Sequence, residues 1–265
     1  MMRTIRTLTS VILGLAVIAI GVVPDAIAQG IVGSKHDLST TGAPPPSWAT
    51  GPLGLPPANQ EVCIFCHTPH AAADPNQMKP LWNRQLPGGM YTLYSSSTLD
   101  AAPQQPFGVS KACLSCHDGT VGFNALLNNR GSGSPAPVGT DQTMGNGTNP
   151  ITRIAEDGTN LTNDHPISMR YSLANSPSGT SGVDDHATGF YAEFTIGTRM
   201  YVNKGSSTVD TNALPLYSDG TNDDFVQCGT CHDPHREKTE ADAVNFLRKS
   251  NVGSALCLTC HKKDA

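Results

Sequence analysis

Residues 228–235 read Cys228-Gly229-Thr230-Cys231-His232-Asp233-Pro234-His235, and residues 257–261 read Cys257-Leu258-Thr259-Cys260-His261. The same two strings occur upstream, as Cys63-Ile64-Phe65-Cys66-His67-Thr68-Pro69-His70 and Cys113-Leu114-Ser115-Cys116-His117. All eight cysteines of the chain therefore fall in four C-x-x-C-H strings, with none left over. In such a string two thiols about one helical turn apart reach the two vinyl groups of a porphyrin, and the next residue carries an imidazole under the iron. One string in an intracellular protein could be a redox dithiol or half a zinc site. Four of them in an exported chain predict four covalently attached haem c groups. Cys63, Cys66, Cys113, Cys116, Cys228, Cys231, Cys257 and Cys260 are then the thioether positions, and His67, His117, His232 and His261 the proximal iron ligands.

Export is read from the start of the chain. A basic segment with Arg3 and Arg6 precedes an apolar run from Val11 to Val23, and Ala26-Ile27-Ala28 follows as a cleavage site. This pattern predicts a secretory signal peptide over residues 1–28, with mature protein from Gln29. The apolar run is shorter than the roughly 20 residues that span a bilayer, so no membrane span is expected after cleavage. An exported chain with eight cysteines would ordinarily suggest a disulfide framework. The spacing overrules that reading, which would also predict a colourless protein.

Composition points the same way. Aromatic residues make up 6% of the chain, while Gly numbers 26 and Pro 20, poor material for an ordinary core. Four porphyrins would supply the missing apolar surface. The expected fold is therefore mostly irregular, with few short helices around the C-x-x-C-H strings and a core made of haems. A formal net charge of -5 gives no basic footprint and argues against nucleic acid as a partner.

Five further histidines, His36, His70, His165, His186 and His235, are available for four distal positions. That supply predicts bis-histidine irons throughout. Methionine ligation by Met78, Met90, Met144, Met169 or Met200 is the alternative and would raise the potential. Trans ligands with nitrogens roughly 2 Å from the metal place their Cα atoms roughly 12 Å apart, more than the 10–11 Å or so that three residues span. His70 thus cannot share an iron with His67, nor His235 with His232. Each must reach a neighbouring haem. His165, presented between Asp164 and Pro166, and His36, near the mature N-terminus, complete the set, His36 either in its own chain or across to an adjacent subunit. His186, after Asp184-Asp185 in a Gly/Ser-rich loop, reads as a solvated surface residue.

The four strings form two pairs of one type, a two-haem module used twice. Residues 29–265 read as a single tetrahaem domain: a first haem pair in 29–124, an insertion rich in Gly, Ser and Asn over 125–227 that carries a distal ligand, and a second pair in 228–265. Most of the insertion reads as loop, over 128–160 and 175–182. Alternation from Phe190 to Ile196, then Gly197 and Thr198 to Val202, predicts a β-hairpin. Ala243 to Arg248 and Ser254 to Cys257 predict two brief helices broken at Gly253.

These phrases, together with Gly33 through Ser39, Pro80 through Arg84, Tyr91 through Ser96 and Asn163 through Ser168, resemble the doubled-CXXCH multihaem c-type cytochromes, and within them the OmcE-like tetrahaem subunits of extracellular cytochrome filaments. The resemblance implies closely stacked bis-histidine haems, few regular elements and subunits joined head to tail as a homopolymer. It matches His36, His70, His165 and His235 to distal ligands. Such filaments can close a haem with a histidine from the next subunit, for which His36 is the candidate. The expected function is long-range electron transfer outside the cell, with redox proteins or minerals as donor and acceptor, and not enzymatic catalysis. A soluble periplasmic shuttle is the alternative. A reductase acting on a small oxyanion would have been signalled by a C-x-x-C-K string or by too few histidines, and neither is present.

Overall fold

A computed structural model describes residues 30–31, 34, 36–38, 62–72, 81–96, 99, 102–122, 125–128, 158–171, 190–210, 213–236 and 246–262. The signal peptide, His186, Met78, Met144, the loop tract over 175–182 and most of that over 128–160 lie outside these residues.

Helical backbone gathers at the cysteine strings. Cys63–Phe65 is one 3-10 turn; helix α1 spans Gly108–His117, α2 Cys228–Cys231 and α3 Cys257–Cys260. The segment Cys228-Gly229-Thr230-Cys231 is weak helix material, and capping sustains it. Gln227 N–H donates to the Thr230 hydroxyl at 3.0 Å, while the Gln227 side chain accepts from the Thr230 backbone. After α2 and α3 the chain leaves as extended backbone at His232 and His261.

Strands are short. β1 (Met169–Arg170) pairs antiparallel with β5 (Phe225–Val226), and β2 (Glu193–Ile196), β3 (Arg199–Val202) and β4 (Leu214–Pro215) form a three-stranded antiparallel sheet in that order. β2 and β3 are the expected hairpin, with Glu193 opposite Val202 and Ile196 opposite Arg199. Gly197, at φ +63°, supplies the positive φ that a two-residue hairpin loop requires. Alternation did not translate into one buried face, however. Phe194 is half-buried and Ile196 exposed, because β2 is the edge of a small sheet.

The larger apolar cluster joins Met169, Tyr171, Phe190, Val202, Leu214, Leu216, Val226 and Leu256; a smaller one holds Tyr91, Leu114 and Leu161. Buried polar residues tie loops by hydrogen bonds. Asn83 donates to the carbonyls of Ile64 and Asn128, and Arg170 meets Asp224 at 3.0 Å. The described chain is thus a largely irregular fold with small helices and sheets, as its composition predicts.

One helix expectation needs correction. Residues 243–245 lie outside the described residues, Phe246 belongs to a 3-10 turn with φ +58°, and Leu247 already bridges His232, so the expected helix does not run on through Leu247 and Arg248. The backbone groups here pair with the haem-motif segment instead. Asp233 N–H donates to Phe246 O and Arg248 N–H to Cys231 O, both at 2.8 Å. Farther on, the helix is α3 itself, preceded by a 3-10 turn at Val252–Ser254 in which Gly253 has φ +60°.

Candidate haem sites

The two copies of the module superpose in their bonding as well as in their spelling. In the first, Thr68 N–H donates to Leu81 O and Asn83 N–H to Cys66 O, with His67 bridging Trp82 and Leu81 at φ +55°. In the second, the bonds from Asp233 and Arg248 just described link the corresponding residues, and Phe246 takes the corresponding positive φ. The side chain one residue beyond each bridge also repeats. Asn83 Nδ2 donates to Ile64 O at 2.8 Å, and Arg248 Nε to Gly229 O at 2.7 Å. In both copies the backbone bridge fixes the histidine of the C-x-x-C-H string just past its helical turn. His261 is held the same way by a bridge to Phe190.

The third residue of each string, Phe65, Ser115, Thr230 and Thr259, is buried. In the two C-L-x-C-H strings this position is a hydroxyl that donates within its own helical turn and accepts from a distant side chain. Ser115 donates to Ala112 O and accepts from Trp82 Nε1 at 3.1 Å; Thr259 donates to Ala255 O and accepts from Lys249 Nζ at 2.8 Å. Asp118, directly after α1, accepts from the Tyr91 hydroxyl at 2.6 Å and from Thr120.

Cys66, Cys231 and Cys260 face environments suited to a neutral sulfur. Burial pushes the Cys66 and Cys260 thiols up to about 12 and Cys231 up to about 11. An uncharged thioether incurs none of the desolvation cost that a thiolate would meet there. Sulfurs of successive strings also lie near one another. The Cys113 thiol is held up first by its hydrogen bond to Cys228 and then by burial, Cys116 adds to the rise at Cys66, and Cys231 adds to the rise at Cys260.

The histidine rings fall into pairs. His36 stands 6.1 Å from His117 between ring centres, with planes at 71°. His67 and His235 are 6.0 Å apart at 18°, and His165 and His261 6.5 Å apart at 77°. With nitrogens roughly 2 Å from a metal and about 1 Å inside each ring centre, two imidazoles on opposite sides of one iron stand about 6 Å apart. Plain ring contacts span about 4.5–7 Å, so separation alone does not single out a shared metal. Each pair joins a histidine of a C-x-x-C-H string to one of the spare histidines.

The tails of this arrangement are equally specific. The N-terminal segment returns across the second module, where a Cβ on Gly30 would collide with the His235 carbonyl. His36 then packs on Phe246 at 4.4 Å. Burial, with the neighbouring His117, His235 and His232, pushes His36 down to about 4, so its imidazole is neutral, the form that binds metal. Burial and His165 lower His261 likewise. His70 is exposed, as are His165 and His235, and its backbone is tied to the Thr68 hydroxyl and the Asn128 side chain. Met169 is buried in the larger apolar cluster, Met200 packs against it, and Met90 is exposed.

Sequence reasoning passed over the aromatic neighbours of these rings, Phe246 on His36, Phe190 on His261 at 4.5 Å and Trp82 on His67 at 6.0 Å. The signal was present in the repeated segment some fifteen residues after each first string. It also passed over Asp233, whose Oδ1 lies 3.4 Å from His235 Nδ1 and whose Oδ2 lies 3.0 Å from Arg248 Nη1. The hydrogen bond with His235 is the chief cause holding the Asp233 carboxyl down at about 2; burial opposes it and Arg248 assists.

Residues 222–265 match the doubled CXXCH motif family. No curated protein matches the chain. The match supports a multihaem c-type cytochrome with haem c bound covalently at these strings, and electron transfer as its role. Haem c is attached outside the cytoplasm. Among the described residues no helix is long and apolar enough to cross a membrane.

Proposed function

We propose that the chain carries four haems, one on each C-x-x-C-H string, all closed by two imidazoles, and that it conducts electrons as a subunit of an extracellular filament. The observation that carries this reading is the set of three histidine pairs at 6.0, 6.1 and 6.5 Å. On it, His235 serves the iron above His67, His36 the iron above His117 and His165 the iron above His261. His70 remains for the iron above His232.

Haem supplies the one-electron couple between Fe(III) and Fe(II). The chain's own residues set potential through axial ligands, burial and hydrogen bonding, and set rate through the spacing of the attachment sites. Two imidazoles on each iron leave no position for substrate, which favours a conductor over an enzyme. The Cys113–Cys228 hydrogen bond, with the electrostatic influence of Cys116 on Cys66 and of Cys231 on Cys260, favours haems held close enough for fast hopping. Haems packed among the buried polar loops would also supply the core that the small apolar clusters lack.

A head-to-tail contact between subunits is heterologous and open, and so extends one protomer's haems into a line. His36 lies over His117 of its own chain, so the ligand that reaches a neighbour is assigned to His70 instead.

Cryo-electron microscopy of the secreted, haem-loaded protein tests the reading. Micrometre-scale filaments with one continuous line of haems are expected. Dispersed single particles under all conditions would establish the soluble periplasmic shuttle in its place.

A further inference from the structure

The two copies of the module differ at two facing positions. Thr68 in the first copy corresponds to Asp233 in the second, and Asn83 corresponds to Arg248. The neutral pair has become an ion pair, 3.0 Å between Asp233 Oδ2 and Arg248 Nη1. The local turn is otherwise kept. The Thr68 hydroxyl donates to His70 O at 2.8 Å and accepts His70 N–H at 3.4 Å, while Asp233 Oδ1 accepts His235 N–H at 3.0 Å.

Only the second copy places a charge behind the imidazole. Asp233 Oδ1 is 3.4 Å from Nδ1 of His235, and the centre of that ring stands 6.0 Å from the ring centre of His67. Arg248 holds the carboxylate in place from the far side, itself anchored on Gly229 O at 2.7 Å and near the Tyr217 hydroxyl at 3.5 Å. A carboxylate on the outer nitrogen of a ligating histidine fixes its tautomer, orients the ring and makes it a stronger donor to the metal. Stronger donation favours Fe(III) over Fe(II).

We infer that Asp233 is a positioning residue that lowers the potential of the haem attached at Cys63 and Cys66, so that the two modules, alike in fold, hold haems of unlike potential. This rests on His235 being the second ligand of the iron above His67. Electrons in a partly reduced protein would then settle on other haems before this one. Thr68 gives His70 no such charge, so the asymmetry is written into one residue pair.

The test is potentiometric, on the haem-loaded full chain, beginning with His235→Met. If His235 is an axial ligand, one haem acquires His/Met ligation and one of the one-electron waves rises; an unchanged spectrum would remove the ligand assignment itself. Asp233→Asn keeps an oxygen for the His235 backbone N–H and discards only the charge. The expected result is that the wave moved by His235→Met also rises in Asp233→Asn, by less, while the other waves and the low-spin spectrum stay as they were. Asp233→Glu should return it toward the parent value. A full set of unshifted waves in Asp233→Asn, with His235 shown to be a ligand, would overturn the inference.

Discussion

At the scale of single residues, the ring planes make a prediction that the ring separations do not. Two imidazoles with parallel planes donate into the same iron d orbital and split the pair of π-type orbitals strongly; perpendicular planes leave the pair nearly degenerate. The His67 and His235 planes differ by 18°, whereas His36/His117 and His165/His261 differ by 71° and 77°. Electron paramagnetic resonance of the oxidised protein should therefore show one rhombic low-spin haem and at least two with a single strongly shifted low-field feature. Rhombic signals alone would contradict the ring orientations. The residues involved were legible beforehand to unequal degrees. The eight cysteines and four proximal histidines follow from local spacing. The exclusion of His235 from the iron above His232 follows from chain reach. Which ring His235 meets depends on a contact between residues 168 positions apart, and no local pattern encodes it.

At the scale of elements, α1 and α2 pack closely because residue 229 has no side chain. A Cβ at Gly229 would meet the Tyr217 hydroxyl at 2.5 Å and Val109 Cγ1 at 2.9 Å. The same approach lets Cys228 N–H donate to Ser110 Oγ at 2.9 Å and brings Cys113 to Cys228. Gly229→Ala should force the two helices apart, at a cost of about 1–3 kcal/mol for overpacking a filled site. Thermal unfolding of the haem-loaded variant measures it, and an unchanged midpoint would show that the contact relaxes freely. The hairpin of β2 and β3 was legible because alternation and a glycine turn are local signals. The helix expected from Ala243 was carried too far at Leu247 and Arg248, where Leu247 bridges His232 and Arg248 N–H bonds to Cys231 O, an instance of tertiary pairing overriding propensity. The equivalent segment from Leu81 to Asn83 bonds identically, so the repeat, once aligned by structure, would have corrected it.

At the scale of the whole molecule, the three histidine pairs tie distant parts of the chain together. His36 reaches from the N-terminal segment over α1, His235 from the second module to the first, and His165 from the insertion to α3. The fourth distal candidate, His70, is exposed, as are His165 and His235. If His70 reaches the iron above His232 in a second copy of the chain, that iron has its second imidazole only in the assembled state. The high-spin share of the spectrum should then grow on dilution toward one haem in four, and fall again as subunits associate. His70→Ala should hold that share constant at every concentration and weaken head-to-tail association, while His36→Ala should open a different iron and leave association intact. A wild-type spectrum that stays low-spin at all dilutions, with His70→Ala opening an iron in the monomer, would return His70 to its own chain. In that case the subunit junction would be held by surface contacts alone, and conduction across it would depend on haem proximity without a shared ligand.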